Sequence, residues 1–278
     1  MKALKKERSI SRVQKPVQSG ISWTNVTWNP WRGCTKVSKA CKNCYIFRCY
    51  ANKNIDAKIV AKQESQMNKP LGMSIGQKIF TCSMSDFFHK DADKWRDEAW
   101  EVIRKTPHHT YLILTKRPER IKDHLPTDWC KEKYGHVWLG VTVEDQKSVE
   151  RIHILGDIPC SIRWVSFEPL IEAVYLTEDE LKKIQWGIIG GESGKKAVVR
   201  KSELCWFDSL IFQLKGYGIP VFFKQFGSYY HYDGLKLKDW HGQNYCKNFP
   251  SRYKLREYPI LNHGEKIINN LKGFKENE

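Results

Sequence analysis

No apolar run in this sequence approaches the roughly 18 residues that cross a bilayer, and the basic stretch 1–15 lacks the apolar core of a secretion signal. The expectation is a cytoplasmic protein with no membrane partner. Internal repeats and low-complexity linkers are also missing, which sets aside solenoids and loosely strung modules. Acidic residues are scarce: 31 Asp and Glu stand against 47 Lys and Arg, leaving a formal charge of +16. That excess attracts phosphate-rich partners, although a solvated lysine-rich surface produces the same balance. Hydrophobic residues fill 41% of the 278 positions, enough for one large α/β domain or two small ones and too many for a disordered chain. The 11 Trp and 12 Tyr include rings able to stack bases, but most belong in a core.

Cysteine, by contrast, is present nine times, at 34, 41, 44, 49, 82, 130, 160, 205 and 246. An odd number without an export signal argues for metal ligands or free thiols over structural disulfides. Cys34, Cys41, Cys44 and Cys49 crowd into one short segment, while Cys82, Cys160 and Cys205 read as small buried hydrophobes.

Short β-branched or aromatic runs recur at 21–27, 78–83, 110–115, 136–143, 162–167, 186–189 and 220–223. Helical punctuation fills the gaps. The segment 93–105 stops before Pro107, Arg117-Pro118-Glu119 opens a helix, Thr177 with Glu180 forms a capping box, and Ser202 precedes a helix that Gly216 can end. Strands alternating with helices predict a parallel sheet in an α/β fold, either open or barrel-like. The divisions expected are a flexible basic N-terminus (1–20), a partial (β/α) barrel of six to seven strands resembling an incomplete TIM barrel (21–228), and a C-terminal extension (229–278). The extension, with Tyr229 to Tyr232, Trp240 and His241, reads as cover for the bottom or open side of the barrel.

The runs turn polar at their C-terminal ends: Ser83-Met84-Ser85-Asp86, Thr115-Lys116-Arg117, Thr142-Val143-Glu144-Asp145, Ser166-Phe167-Glu168, Gly190-Gly191-Glu192-Ser193 and Lys224-Gln225. In parallel α/β folds this edge binds ligands, and its recurrence on six strands predicts a shared site. The first run leads straight into the cysteines, so Cys34, Cys41 and Cys44 belong at the same rim. Three soft ligands on one loop suit a cubane cluster with one iron left open, as S-adenosylmethionine chemistry requires. Two other readings stand beside it. A zinc site completed by Cys49 or a histidine would merely staple the loop, and a lone nucleophilic cysteine would need a histidine partner that nothing in the sequence identifies.

Trp23-Thr24-Asn25-Val26-Thr27-Trp28-Asn29-Pro30, Gly33-Cys34-Thr35-Lys36-Val37-Ser38, Cys41-x2-Cys44-Tyr45, Met84-Ser85-Asp86-Phe87-Phe88, Phe167-Glu168-Pro169-Leu170, Gly190-Gly191-Glu192-Ser193-Gly194 and Phe222-Phe223-Lys224-Gln225-Phe226-Gly227 together resemble the family named for phage gene products 37 and 68. That family is similar to the radical S-adenosylmethionine superfamily, and the likeness spans roughly 21–260. The chain departs from the superfamily pattern in two places. Six residues rather than three separate Cys34 from Cys41, with Asn43 where an aromatic residue stands before the third cysteine, and Gly190-Gly191-Glu192 follows the sixth run rather than the second.

The resemblance implies a [4Fe-4S] cluster on Cys34, Cys41 and Cys44 that cleaves S-adenosylmethionine to a 5'-deoxyadenosyl radical. Ser83, Ser85, Thr115, Lys116, Glu144, Ser166, Glu168, Gly190, Gly191 and Glu192 are then candidate cofactor contacts, with Lys224 and Gln225 nearer the substrate. Each has a plainer reading: Gly190-Gly191 as a tight strand-to-helix turn, Glu168-Pro169 as a strand stop, and Lys116-Arg117 as rim solvation. The partners implied are a reductant protein and, from the charge, nucleic acid or a modified nucleotide, with a partner protein as the rival substrate. The competing function is a non-enzymatic, zinc-stapled nucleic-acid-binding protein.

Overall fold

The computed structural model describes residues 20–195, 197–232, 249 and 251–260. The expected basic start up to residue 19, together with Trp240, His241, Cys246 and the final residues 261–278, lies outside the described residues. In chain order the strands are β1 (Val26–Trp28), β2 (Trp31–Arg32), β3 (Ala61–Lys62), β4 (Lys78–Thr81), β5 (Thr110–Thr115), β6 (Val137–Thr142), β7 (Ile162–Phe167), β8 (Trp186–Gly190) and β9 (Val221–Gln225). The α-helices are α1 (Tyr45–Ala51), α2 (Glu64–Met67), α3 (Asp93–Lys105), α4 (Lys131–Tyr134), α5 (Glu150–Gly156), α6 (Glu178–Lys182), α7 (Leu204–Gly216) and α8 (Ser228–Tyr232).

One seven-stranded sheet carries the fold, in the order β1-β4-β5-β6-β7-β8-β9, and every neighbouring pair is parallel. The remaining strands, β2 and β3, pair antiparallel beside it. Helices α3 to α7 lie in the crossovers, as parallel pairing requires.

The sheet is bent into a half-barrel, as two aromatic residues demonstrate. The Trp23 ring stands 4.7 Å from Phe80 on β4, 5.3 Å from Trp164 on β7 and 6.3 Å from Trp186 on β8. In a flat sheet β4 and β8 would be roughly 19 Å apart at about 4.8 Å per strand, too far for one indole to bridge. Tyr258 makes the same point from β4 to β9: its ring lies 4.1 Å from Lys78 Nζ and 5.7 Å from Phe222.

The inner face is filled by Phe80, Leu112, Trp138 and Ile162 in register, then by Trp164 and Trp186. Outward-facing Ile79, Tyr111, Ile113, Leu139, Val165 and Val221 pack in the main core with Ile103 of α3, Leu155 of α5 and Leu210 of α7. Burial on both faces explains why the strands read as continuous apolar runs rather than alternating ones. Gly140 is where the inner layer leaves no room: a Cβ there would sit 2.3 Å from the Trp164 ring.

Residues 255–257 cover the edge that a half-barrel leaves open. Phe223 N donates to Leu255 O at 3.0 Å, Glu257 N to Val221 O at 3.1 Å, and Trp186 Nε1 to Glu257 O at 2.9 Å. The free edge of β9 is thereby paired.

Several local expectations are met and others are corrected. Helix α3 spans the predicted residues, and Thr177 and Glu180 form the reciprocal cap that opens α6. The run 21–27 contributes strand only from Val26, because Trp23 turns inward as a plug. Pro118 opens a single 3-10 turn, Pro118–Arg120, rather than a longer helix. Cys82 is buried as expected, but Cys160 is half-buried and Cys205, in the first turn of α7, is exposed.

Gly140→Ala is expected to destabilise the protein by about 1–3 kcal/mol through overpacking against Trp164. Gly216→Ala, where a Cβ meets nothing within 4 Å, is expected to be neutral or to stabilise by up to about 1 kcal/mol. Urea unfolding of the two variants beside the wild type measures both, and equal midpoints would contradict the packing argument.

Candidate active site at the cysteine rim

A cavity of about 520 Å³ opens at the C-terminal ends of the strands, within the range of small-molecule sites. Its floor is Ile21, Trp23, Phe80 and Leu114, the upper surface of the aromatic layer. Cys34, Cys41 and Cys44 line one wall, and Ser83, Ser85, Thr115, Lys116, Ser166, Glu168, Gly191, Glu192, Lys224 and Gln225 also line it. Two sequence candidates stand off the lining. Glu144 is fully buried in an ion cluster, and Gly190 lies behind the Glu168 carboxyl group, which a Cβ would meet at 2.4 Å.

The cysteine loop is stitched to the loop after β4. Asn29 donates to Ser83 Oγ at 3.0 Å and accepts from Met84 N at 2.7 Å. Gly33 N donates to Met84 O at 3.1 Å, and Ser85 Oγ donates back to Gly33 O at 2.5 Å. Gly33 has φ +90, and a Cβ there would lie 2.2 Å from Ile59 O, so glycine alone lets the chain turn into the cysteines. The Tyr45 hydroxyl donates to Ser83 O and ties the start of α1 to the same loop.

Behind Cys34 lies a buried pair absent from the sequence candidates. Arg117 Nη1 is 2.9 Å from Asp86 Oδ2 and 3.8 Å from Cys34 Sγ, while Nη2 donates to Thr35 O and Oγ1, both at 2.9 Å. Asp86 also accepts from Thr115 Oγ1 at 2.7 Å, Phe88 N at 2.9 Å and Lys116 N at 3.1 Å. Burial works against the guanidinium, but Asp86 and Cys34 together hold its pKa above the ordinary arginine value.

A second brace joins the loop to β8. Arg200 grips Glu192 through Nε at 2.9 Å and through Nη2, and Asn43 Nδ2 donates to the same carboxylate at 3.1 Å. Arg200 Nη1 also donates to Lys39 O at 3.1 Å. Glu192 therefore both lines the cavity and anchors the cysteine loop. Gly191 is needed for packing, since a Cβ would stand 2.1 Å from Phe226 O. Elsewhere in the lining, Lys224 Nζ lies 3.1 Å from Glu168 Oε1 without hydrogen-bond alignment, and Ser166 Oγ donates to Glu168 Oε2 at 3.3 Å.

The three thiols differ in acidity. Burial, reinforced by Asp86, pushes Cys34 up to about 12, and burial also raises Cys44. Cys41 is lowered: burial opposes ionisation, but a backbone hydrogen bond at Val37, the Lys116 charge and Ser38 outweigh it. Buried thiols of this kind ionise when a metal supplies the charge. The donor set suits an iron-sulfur cluster in its chemistry and in its placement on one cavity wall. Among the described residues no three His, Cys, Asp or Glu side chains converge closely enough to hold a single ion. Cys49, one of the two fourth ligands open to a zinc staple, is on α1 and does not line the cavity.

Glu144 is pinned by Arg151 at 2.7 Å and Lys116 at 3.1 Å. Burial opposes its ionisation, yet Lys116 and Arg151 hold its pKa below the ordinary glutamate value, with Ser38 adding a hydrogen bond. A depressed carboxylate pKa contributes stability that is present above the unfolded value, near 4.3, and lost as pH falls through the folded one. Glu144→Gln is therefore expected to cost roughly 3 kcal/mol at pH 7, the low end for a broken buried pair because Lys116 keeps some solvent. The gap between variant and wild type should close as pH drops below about 4. Urea unfolding across this range measures it, and a pH-independent gap would contradict the assignment.

No curated protein and no solved structure matches the chain. A family profile does, over residues 18–259. The chain belongs to the family described as Protein of unknown function (DUF5131).

Proposed function

We propose that this protein is a radical S-adenosylmethionine enzyme, with a [4Fe-4S] cluster held by Cys34, Cys41 and Cys44. The observation that carries the reading is that all three thiols and the polar ends of the strands face one cavity. Such a cluster, when bound, supplies the electron that breaks a sulfur–carbon bond of S-adenosylmethionine.

The protein's own residues position and enclose. Trp23, Phe80 and Leu114 close the floor against water. Glu168 and Lys224 offer an acceptor and a donor in the same lining as the thiols, fitted to groups of opposite charge on a bound molecule. Ser166, Ser83 and Ser193 add neutral hydrogen-bonding groups.

For the substrate, the mouth favours nucleic acid or a modified nucleotide. Lys36, Lys39 and Lys42 on the cysteine loop and Lys195, two residues past the cavity-lining Ser193, are exposed and form no salt bridge with a described residue. Cations left without acidic partners beside a cavity suit a phosphate backbone. A reductant protein would deliver the electron. The zinc-stapled nucleic-acid-binding alternative shares this basic mouth but gives the cavity no use.

Anaerobically reconstituted protein, given dithionite and S-adenosylmethionine, is expected to form 5'-deoxyadenosine and methionine, read by liquid chromatography with mass detection. Cys34→Ala, Cys41→Ala and Cys44→Ala should each abolish the product. Stoichiometric zinc, no iron and no product would overturn the enzyme reading in favour of the staple.

A further inference from the structure

The Arg117 side chain is only 9% exposed and is clamped on both sides before it reaches the cysteine. Asp86 takes Nη1 at 2.9 Å and Thr35 takes Nη2 twice at 2.9 Å. The clamps are themselves fixed. Asp86 is held by Thr115 Oγ1, Phe88 N and Lys116 N, and Thr35 Oγ1 lies 2.9 Å from His89 Nε2. Burial and the neighbouring Arg117 charge keep His89 below its ordinary pKa, and because its Nδ1 accepts from Asp91 N at 3.2 Å, the neutral ring donates from Nε2 to Thr35 Oγ1 without adding a second cation. The outcome of this framework is a guanidinium N–H placed 3.8 Å from Cys34 Sγ, within reach for a hydrogen bond to sulfur. Among the described residues no guanidinium or ammonium hydrogen-bonds to Cys41 or Cys44: Cys41 meets the Ser38 hydroxyl at 3.7 Å, and Lys116 acts on both sulfurs through its charge alone.

We infer that Arg117 is a positioning residue that sets the reduction potential of a cluster held at Cys34, by holding one positive charge and one N–H against that ligand's sulfur. This rests on the cluster reading above. A reduced cluster carries one more negative charge than its oxidised form, so a fixed cation and a hydrogen bond at one thiolate stabilise the reduced form and raise the potential. The asymmetry marks Cys34 as the tuned corner.

The test is a potentiometric titration of the reconstituted protein, followed by electron paramagnetic resonance. Arg117→Met is expected to shift the one-electron equilibrium toward the oxidised form by tenfold or more, about 59 mV lower in midpoint potential. Should the lost Asp86 partner prevent folding, Arg117→Lys keeps a cation for Asp86 but cannot span Asp86, Thr35 and the sulfur, and a smaller downward shift is expected. A variant that loads the cluster and titrates at the wild-type potential overturns the inference while leaving the cluster reading intact, and it would assign Arg117 a purely bracing role seen only in thermal stability. A wild-type protein that takes up no cluster overturns the cluster reading, and this inference with it.

Discussion

The site hangs on the buried Asp86–Arg117 pair. Asp86 follows β4, Arg117 follows β5, and the guanidinium reaches on to Thr35 and Cys34, so one ion pair joins three loops that are far apart in sequence. Burying two charges is costly unless every remaining donor and acceptor is engaged. Here the carboxylate takes three further hydrogen bonds and the guanidinium takes a carbonyl and a hydroxyl. The return is positional: a loop that must run from Cys34 to Cys41 is fixed at Cys34 by a strand-end framework rather than by its own contacts.

The depth of the cavity is set lower down. Large aromatic side chains on the inner face need a curved sheet to meet one another, and Trp23 and Tyr258 fill the curve from above and below. Their bulk stops short of the strand ends, where the side chains change to Thr142, Ser166, Glu168 and Lys224. A half-barrel with a solid floor and a polar mouth follows from that change in residue size and polarity along each strand.

The strands were legible because both faces of a parallel sheet are apolar: 110–115 and 162–167 coincide with β5 and β7, and the polar strand ends gave most of the cavity lining. Trp23 was not, since an aromatic residue beside a β-branched run reads as strand until its inner-face partners are seen. Arg117 reads as rim solvation in sequence because Asp86, 31 positions away, is invisible until β4 and β5 pair. Glu144 illustrates the reverse, a strand-end carboxylate that turns away from the cavity to Arg151 and Lys116. The glycine pair at 190–191 signals a close approach, but the approaching atoms are the chain's own Glu168 carboxylate and Phe226 carbonyl. Asn43 and Glu192, 149 positions apart, form a brace with no local signature.

The central claim is that the three cavity-lining thiols leave one iron open to S-adenosylmethionine. Electron paramagnetic resonance of the anaerobically reconstituted, reduced protein, recorded with and without S-adenosylmethionine, tests it most directly. The account predicts a [4Fe-4S] signal that changes shape when S-adenosylmethionine is added and is missing from a Cys34→Ala, Cys41→Ala, Cys44→Ala triple variant. A cluster signal indifferent to S-adenosylmethionine, or no cluster at all in the wild type, would contradict it.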